Sequence, residues 1–254
     1  MCTVVLLRRP GQAWPLILGA NRDEMLNRAW KPPARHWPER TDMVAGLDEV
    51  GGGTWMGLND TGVVACILNR HGSLGPLPGK RSRGELVLEA LDHADASDAA
   101  YALSDLDPAS YRSFNMIIAD NRDAWWLSMA DNKRPVRLER IPEGLSMFTA
   151  QERNDESDAR IAAYLPRFRA APVPDPDAQN WEGWRALLAS TDDAGGTATT
   201  AMSFRMANGF GTSSSSLLAV PSVEAAFNAD KKAPIWLFAA GAPDHTSYAP
   251  VDLT

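Results

Sequence analysis

Met1-Cys2-Thr3-Val4-Val5-Leu6-Leu7 opens the chain, and after a polar loop Trp14-Pro15-Leu16-Ile17-Leu18-Gly19-Ala20 leads into Asn21-Arg22-Asp23-Glu24. Two apolar runs separated by Arg8-Arg9-Pro10-Gly11-Gln12 read as a β-hairpin. The loop is too long to set the register from a turn type, so the residue facing Cys2 is left open among Ala20, Arg22 and Asp23. Strand alternation puts Asn21 and Asp23 on one face and Arg22 and Glu24 on the other. A cysteine directly after the initiator methionine becomes the first residue once Met1 is removed, and then carries a thiol and a free α-amine together. That amine titrates near neutrality and can act as base for its own side chain, provided a carboxylate such as Asp23 holds it in place. The plain alternative is a small buried residue at the start of a strand.

The remaining chain alternates two periods. Gly51-Gly52-Gly53-Thr54-Trp55-Met56-Gly57-Leu58-Asn59, the turn Asp60-Thr61-Gly62 and Val63 to Leu68 read as a second hairpin, ending at Asn69-Arg70. The triple glycine lacks the Lys-Ser/Thr tail of a phosphate loop and points to close backbone packing or a bulge. Leu26 to Arg40, rich in Pro, Arg and Trp, reads as irregular. Ser82-Arg83-Gly84-Glu85 reads as a capping box before a helix with Leu86, Val87, Ala90 and Leu91 on one face, and a short helix is expected from Ser97 to Leu103. Phe114 to Ala119, Ala124 to Met129, Val136 to Arg140 and Leu145 to Thr149 read as four successive strands of an antiparallel sheet. A helical block follows, with Ile161, Leu165 and Phe168, then Trp181, Trp184 and Leu188, at helical spacing. Strands are expected at Ala201 to Met206, Thr212 to Val220 and Ile235 to Ala239. Two β-rich groups alternating with two helical blocks imply one α+β domain over residues 1–254.

Composition narrows the class of function. A net charge of −7 argues against nucleic acid and anionic membrane surfaces as partners. No apolar run reaches the roughly 18 residues of a membrane helix, so no stable membrane insertion is expected. Two cysteines, Cys2 and Cys66, cannot build a disulfide framework, and without a leader pattern the chain is expected in the cytoplasm. His36, His71, His93 and His245 show no metal-ligand spacing, so no metal site is expected. Ser213 to Ser216 lacks the strand-to-helix elbow of a serine nucleophile. Nine tryptophans fit an aromatic core, or a pocket for a flat or acyl ligand. Asn69 ends an apolar strand, where a side-chain amide could donate to an oxyanion.

Met1-Cys2-Thr3, Asn21-Arg22-Asp23-Glu24, Gly52-Gly53-Thr54-Trp55 with Gly57, Leu68-Asn69, Ser82-Arg83-Gly84 and Phe114-Asn115, in this order and at these distances, resemble the NRDE family, that of the transport and Golgi organisation protein 2. The resemblance implies an N-terminal-nucleophile hydrolase-like fold, a four-layer αββα sandwich with two antiparallel sheets. Asn59 through Asn69 is also similar to the bile salt hydrolase and penicillin V acylase group, which cuts amide bonds with an N-terminal cysteine. That likeness implies hydrolysis of an acyl-amide bond in a small substrate, without a cofactor, with Cys2 as nucleophile and base, Asp23 orienting its amine and Asn69 as oxyanion donor. Where that group has arginine three residues before the aspartate this chain has Ala20, and Arg22 is the candidate substitute if its side chain turns inward. Ala150 stands where that group has a second amide donor, and Ser213 stands where the NRDE family often has an arginine. The alternative is a non-catalytic carrier of haem or an acyl lipid, with the Trp30 to Trp37 segment as a wall for a flat, anionic ligand. Oligomeric state is left open.

Overall fold

The computed structural model describes residues 2–228 and 231–254. Its elements in chain order are β1 (Thr3–Arg8), β2 (Leu16–Met25), β3 (Trp30–Ala34), β4 (Met43–Asp48), β5 (Met56–Asn59), β6 (Val64–Asn69), α1 (Gly84–Leu91), α2 (Ala96–Ser104), β7 (Phe114–Ala119), β8 (Ala124–Met129), β9 (Arg137–Arg140) and β10 (Gly144–Phe148). They continue with α3 (Ala159–Ala170), α4 (Glu182–Leu188), β11 (Phe210–Val220), α5 (Val223–Phe227), β12 (Ile235–Ala239) and β13 (Ala249–Pro250). Contacts divide the chain into two compact units, residues 2–28 with 143–251 and residues 29–142 with 252–254.

In the first unit, the strands of the described residues run in the order β10-β1-β2-β11-β12-β13. The opening hairpin pairs Thr3 with Asn21 and Leu7 with Ile17, which settles the register that its loop left undetermined. One face of this sheet carries Val5, Leu7 and Ile17 against Ile161, Leu165 and Trp184 of α3 and α4. Phe168 and Trp184 meet edge to face at 5.5 Å, bringing the two helices together. Helical spacing on α3 and α4 and the alternation on β1 and β2 therefore bury complementary faces in one core.

In the second unit the order is β3-β4-β5-β6-β7-β8-β9. Leu86 and Leu91 of α1 and Ala99 and Leu103 of α2 pack on Phe114, Met116 and Ile118 of β7. Asp95 caps α2 by accepting from the backbone N–H groups of Ser97 and Asp98. The triple glycine has a packing reason. A Cβ on Gly53 would stand 2.5 Å from the Gly84 carbonyl carbon, so only glycine lets this loop touch the start of α1, and Thr54 N donates to Gly84 O across the contact. The architecture is the expected α+β class with two antiparallel sheets, each covered on one face by helices of its own unit. Five of the tryptophans, Trp14, Trp126, Trp181, Trp184 and Trp236, are buried.

Four local expectations are corrected. The Pro-rich segment contains strand β3, whose pairing with β4 shifts register between Lys31 and Ala34 so that Pro32 and Pro33 need not donate to the ladder. Ser82 does not form a capping box: Arg83 occupies the cap without a side-chain bond, and Glu85 instead accepts from the Tyr111 hydroxyl at 2.6 Å. Leu145 to Thr149 does not continue the sheet of β7, β8 and β9. Its strand β10 pairs with β1 in the other unit, Val4 facing Phe148 and Arg8 facing Gly144. Ala201 to Met206 is not a strand: it meets β11 through the isolated bridge Arg205 to Gly211, with bonds exchanged between Phe204 and Thr212 and one from Met206 N to Phe210 O, and forms no continuous ladder.

Candidate active site

Continuing the Thr3–Asn21 pairing outward sets Cys2 opposite Arg22, at the open end of β1. Cys2 Sγ receives a bond from the Asp23 backbone N–H at 3.4 Å and lies 3.5 Å from the Asp23 carbonyl oxygen, to which it donates as a thiol. Cys2 keeps part of its surface in solvent. Burial nevertheless pushes its thiol pKa up, the Asp23 charge adds to the rise, and the bond from Asp23 N–H and the charge of Arg22 offset part of it. Such a thiol is neutral at pH 7 and needs a base beside it to react. Met1, whose removal would expose the α-amine of Cys2, lies outside the described residues.

The Asp23 side chain is buried and fully engaged on the face covered by α3 and α4. Its Oδ2 accepts from Arg160 Nη1 at 2.9 Å and its Oδ1 from Thr212 Oγ1 at 2.9 Å. Asn21, two residues back on the same face, donates through its amide nitrogen to Leu188 O and Met202 O and accepts from Ser215 Oγ. Alternation is thus obeyed: Asn21 and Asp23 share a face, and Arg22 points the other way. There Arg22 Nη1 donates to Ser213 Oγ at 3.2 Å, and Ser213 sits in a bulge where the register of β11 on β2 shifts between Thr212 and Ser214. Arg22 is buried, and its charge reaches the Cys2 thiol.

Cys2, Arg22 and Asp23 are therefore gathered around the start of β1, while Asn69 belongs to the second unit. Alternation along β6 places Asn69 with Ala65 and Ile67, which pack toward α1 and α2. Leu68 and Arg70 face the other way, where Arg70 Nη1 donates to Asn115 Oδ1 at 2.7 Å and the Trp126 indole donates to the same oxygen at 3.2 Å. The Trp30 to Trp37 segment is occupied with its own unit. Arg35 binds Asp60 and the carbonyls of Thr41 and Leu253, and His36 Nε2 is 2.8 Å from Pro32 O. Among the described residues no group of three or more His, Cys, Asp or Glu side chains could hold a metal ion, and no helix is long and apolar enough to cross a membrane.

Sequence reasoning missed Arg160, which carries no local signal of its own. The detectable hint is Asp158, two residues earlier, which caps α3 by accepting from Arg160 N and Ile161 N and so fixes the turn from which Arg160 projects.

A family model described as Transport and Golgi organisation 2 matches residues 1–162, which include Cys2, the Asn21 to Glu24 tetrad and Arg160. The chain belongs to the Transport and Golgi organisation 2 family. This family member is 39% identical over 114 residues to the mouse Transport and Golgi organization 2 homolog, a match covering 42% of this chain and 40% of the mouse protein. The bovine homolog is 38% identical over 117 residues, with the same coverage. The match thus spans about two fifths of those relatives' length. Among solved structures, a Caenorhabditis elegans ortholog of N-acylethanolamine-hydrolyzing acid amidase superposes with a TM-score of 0.60 at 12% identity, covering 92% of this chain and 98% of that one. Penicillin V acylase from Agrobacterium tumefaciens gives 0.57 at 14% identity, covering 94% and 83%. A variant of conjugated bile acid hydrolase from Clostridium perfringens gives 0.52 at 11%, covering 100% and 98%. At these identities the family member shares a fold with amidases and acylases, and the likeness extends no further.

Proposed function

We propose that this chain, with Met1 removed, hydrolyses an acyl-amide bond of a small substrate through Cys2. The observation that carries the reading is the seat of Cys2 Sγ, 3.4 Å from the backbone nitrogen of Asp23, whose buried carboxylate belongs to the same strand end. The fold's likeness to an N-acylethanolamine-hydrolyzing acid amidase and a penicillin V acylase supports the bond type, since the first name describes amide hydrolysis and the second acylase chemistry.

In this mechanism the α-amine of Cys2 takes the thiol proton, because the raised thiol pKa leaves too little thiolate without a base. The thiolate attacks the acyl carbonyl carbon. The tetrahedral adduct collapses by breaking the carbon–nitrogen bond, and the leaving amine takes the proton held by the terminal ammonium. Water, giving a proton to the free α-amine, then cleaves the thioester and restores the thiol. Asp23 orients the terminus, and Arg22 lowers the cost of the thiolate.

The test is turnover of a panel of fatty-acyl ethanolamides, phenoxyacetyl amides and bile-acid conjugates by the wild type and by Cys2→Ser. Release of amine by the wild type and its loss in Cys2→Ser is the expected result. Equal turnover by the two proteins removes Cys2 as nucleophile.

A further inference from the structure

We propose that Arg160 is the positioning residue of the amino-terminal site: its guanidinium clamps Thr3, the neighbour of Cys2, to the carboxylate of Asp23. A single nitrogen, Nη1, donates to Asp23 Oδ2 at 2.9 Å and to Thr3 Oγ1 at 2.8 Å. The other terminal nitrogen, Nη2, donates to Thr199 O at 2.7 Å, and the guanidinium lies over the Phe204 ring at 5.4 Å from its centroid. Arginine suits this place because its rigid fork serves a carboxylate, a hydroxyl and a carbonyl from one planar group, which a lysine ammonium on a flexible stem does less well.

The clamp is itself anchored. Asp158 caps α3 on one side and accepts from Thr149 Oγ1 at 2.7 Å on the other, so the turn that carries Arg160 is tied to the end of β10. β10 pairs directly with β1, Val4 facing Phe148. Two routes therefore converge on the first residues of β1, one through the sheet and one through α3 and Arg160. Among the described residues the charged groups acting on Cys2 are Asp23 and Arg22 from β2, with Arg160 behind Asp23 on α3. Because Arg160 is 2% exposed and bonds to Thr3 and Asp23, its action on Cys2 passes through those two residues. Its relevance to catalysis rests on the reading of Cys2 as the reacting residue.

The clamp is tested by the rate at which iodoacetamide alkylates Cys2 in the folded chain, read on the Cys2 peptide by mass spectrometry so that Cys66 does not contribute. Melting temperature is followed alongside. Thr3→Val is isosteric and uncharged, and removes one arm; Arg160→Lys keeps the charge and removes the fork. Each is expected to speed Cys2 alkylation about tenfold, the factor that loss of one charge-assisted hydrogen bond gives to a local opening. The double variant is expected to match the faster single one, since both break the same bond. A role confined to general stability would lower the melting temperature and leave Cys2 alkylation at the wild-type rate. Unchanged rates in both single variants, or effects that multiply in the double, overturn the clamp. Alkylation reports on the terminus whether or not an amide is turned over. Inactivity on every amide with a responding thiol would therefore count against the hydrolase reading and leave the clamp standing.

Discussion

Asp23 and Arg160, separated by 137 positions in sequence, form an ion pair of 2.9 Å whose side chains are 0% and 2% exposed. A charge pair taken this far out of water is not a bargain in stability, because desolvation cancels much of the Coulomb gain. Its worth lies in what it orients: the last residues of β2, the first of β1 and the start of α3 meet at this pair.

Breaking the pair from one side leaves the partner's charge buried. Arg160→Met is expected to destabilise the protein by about 3–5 kcal/mol, and Asp23→Asn/Arg160→Met by clearly less, because the double variant strands no charge. Urea denaturation of the two variants measures the difference.

Asn21 holds the same strand end through two donated bonds and one accepted from Ser215 Oγ. Asn21→Asp replaces two donated bonds, to Leu188 O and Met202 O, with a carboxylate facing two carbonyl oxygens. A loss of roughly 3 kcal/mol or more follows from the unpaired buried groups, readable in the same denaturation experiment.

The two cysteines answer to pH in the same direction. Burial pushes the Cys66 thiol up to about 12, and its pKa rise rests on burial alone. Both thiols are raised, so the folded state holds these protons more tightly than the unfolded chain. Their contribution to stability is complete below the unfolded thiol pKa and is lost as pH climbs toward the folded values. Stability should fall as pH rises above about 9, and in Cys66→Ala that alkaline fall should be smaller. Melting temperature against pH checks both statements.

Gly53 has no room for a methyl group. Gly53→Ala would set a Cβ at 2.5 Å from Gly84 C and 2.7 Å from Gly84 O, so α1 must retreat from the loop. The expected cost is about 1–3 kcal/mol, as for other overpacked contacts, while Gly52→Ala is penalised through its φ of +70° alone. Thermal melting of the two variants separates the two causes.

What was readable in the sequence follows the range of each signal. Period-two runs such as Phe114 to Ala119 and helical stripes such as Ile161, Leu165 and Phe168 are local, and they delivered the α+β class. The shared face of Asn21 and Asp23 followed from alternation, and the family from the order of short motifs. Chain proximity to β9 is a local cue that puts β10 beside it, whereas the observed pairing of β10 with β1 spans more than 130 residues. Ser82-Arg83-Gly84-Glu85 spells a capping box, but Glu85 turns to the Tyr111 hydroxyl, a partner 26 residues away. Arg160 was invisible for the same reason as β10: nothing near residue 160 says that Asp23 and Thr3 will be its partners.

The state of the amino terminus bears most directly on Cys2 as an amine-assisted nucleophile. With Met1 in place the α-amine of Cys2 is an amide nitrogen without useful basicity, and the raised thiol has no base of its own. Intact mass of the purified chain, before any treatment, decides between the two states. A mass lacking one methionine, with Cys2 as the first residue, is the expected result; a mass retaining Met1 contradicts it.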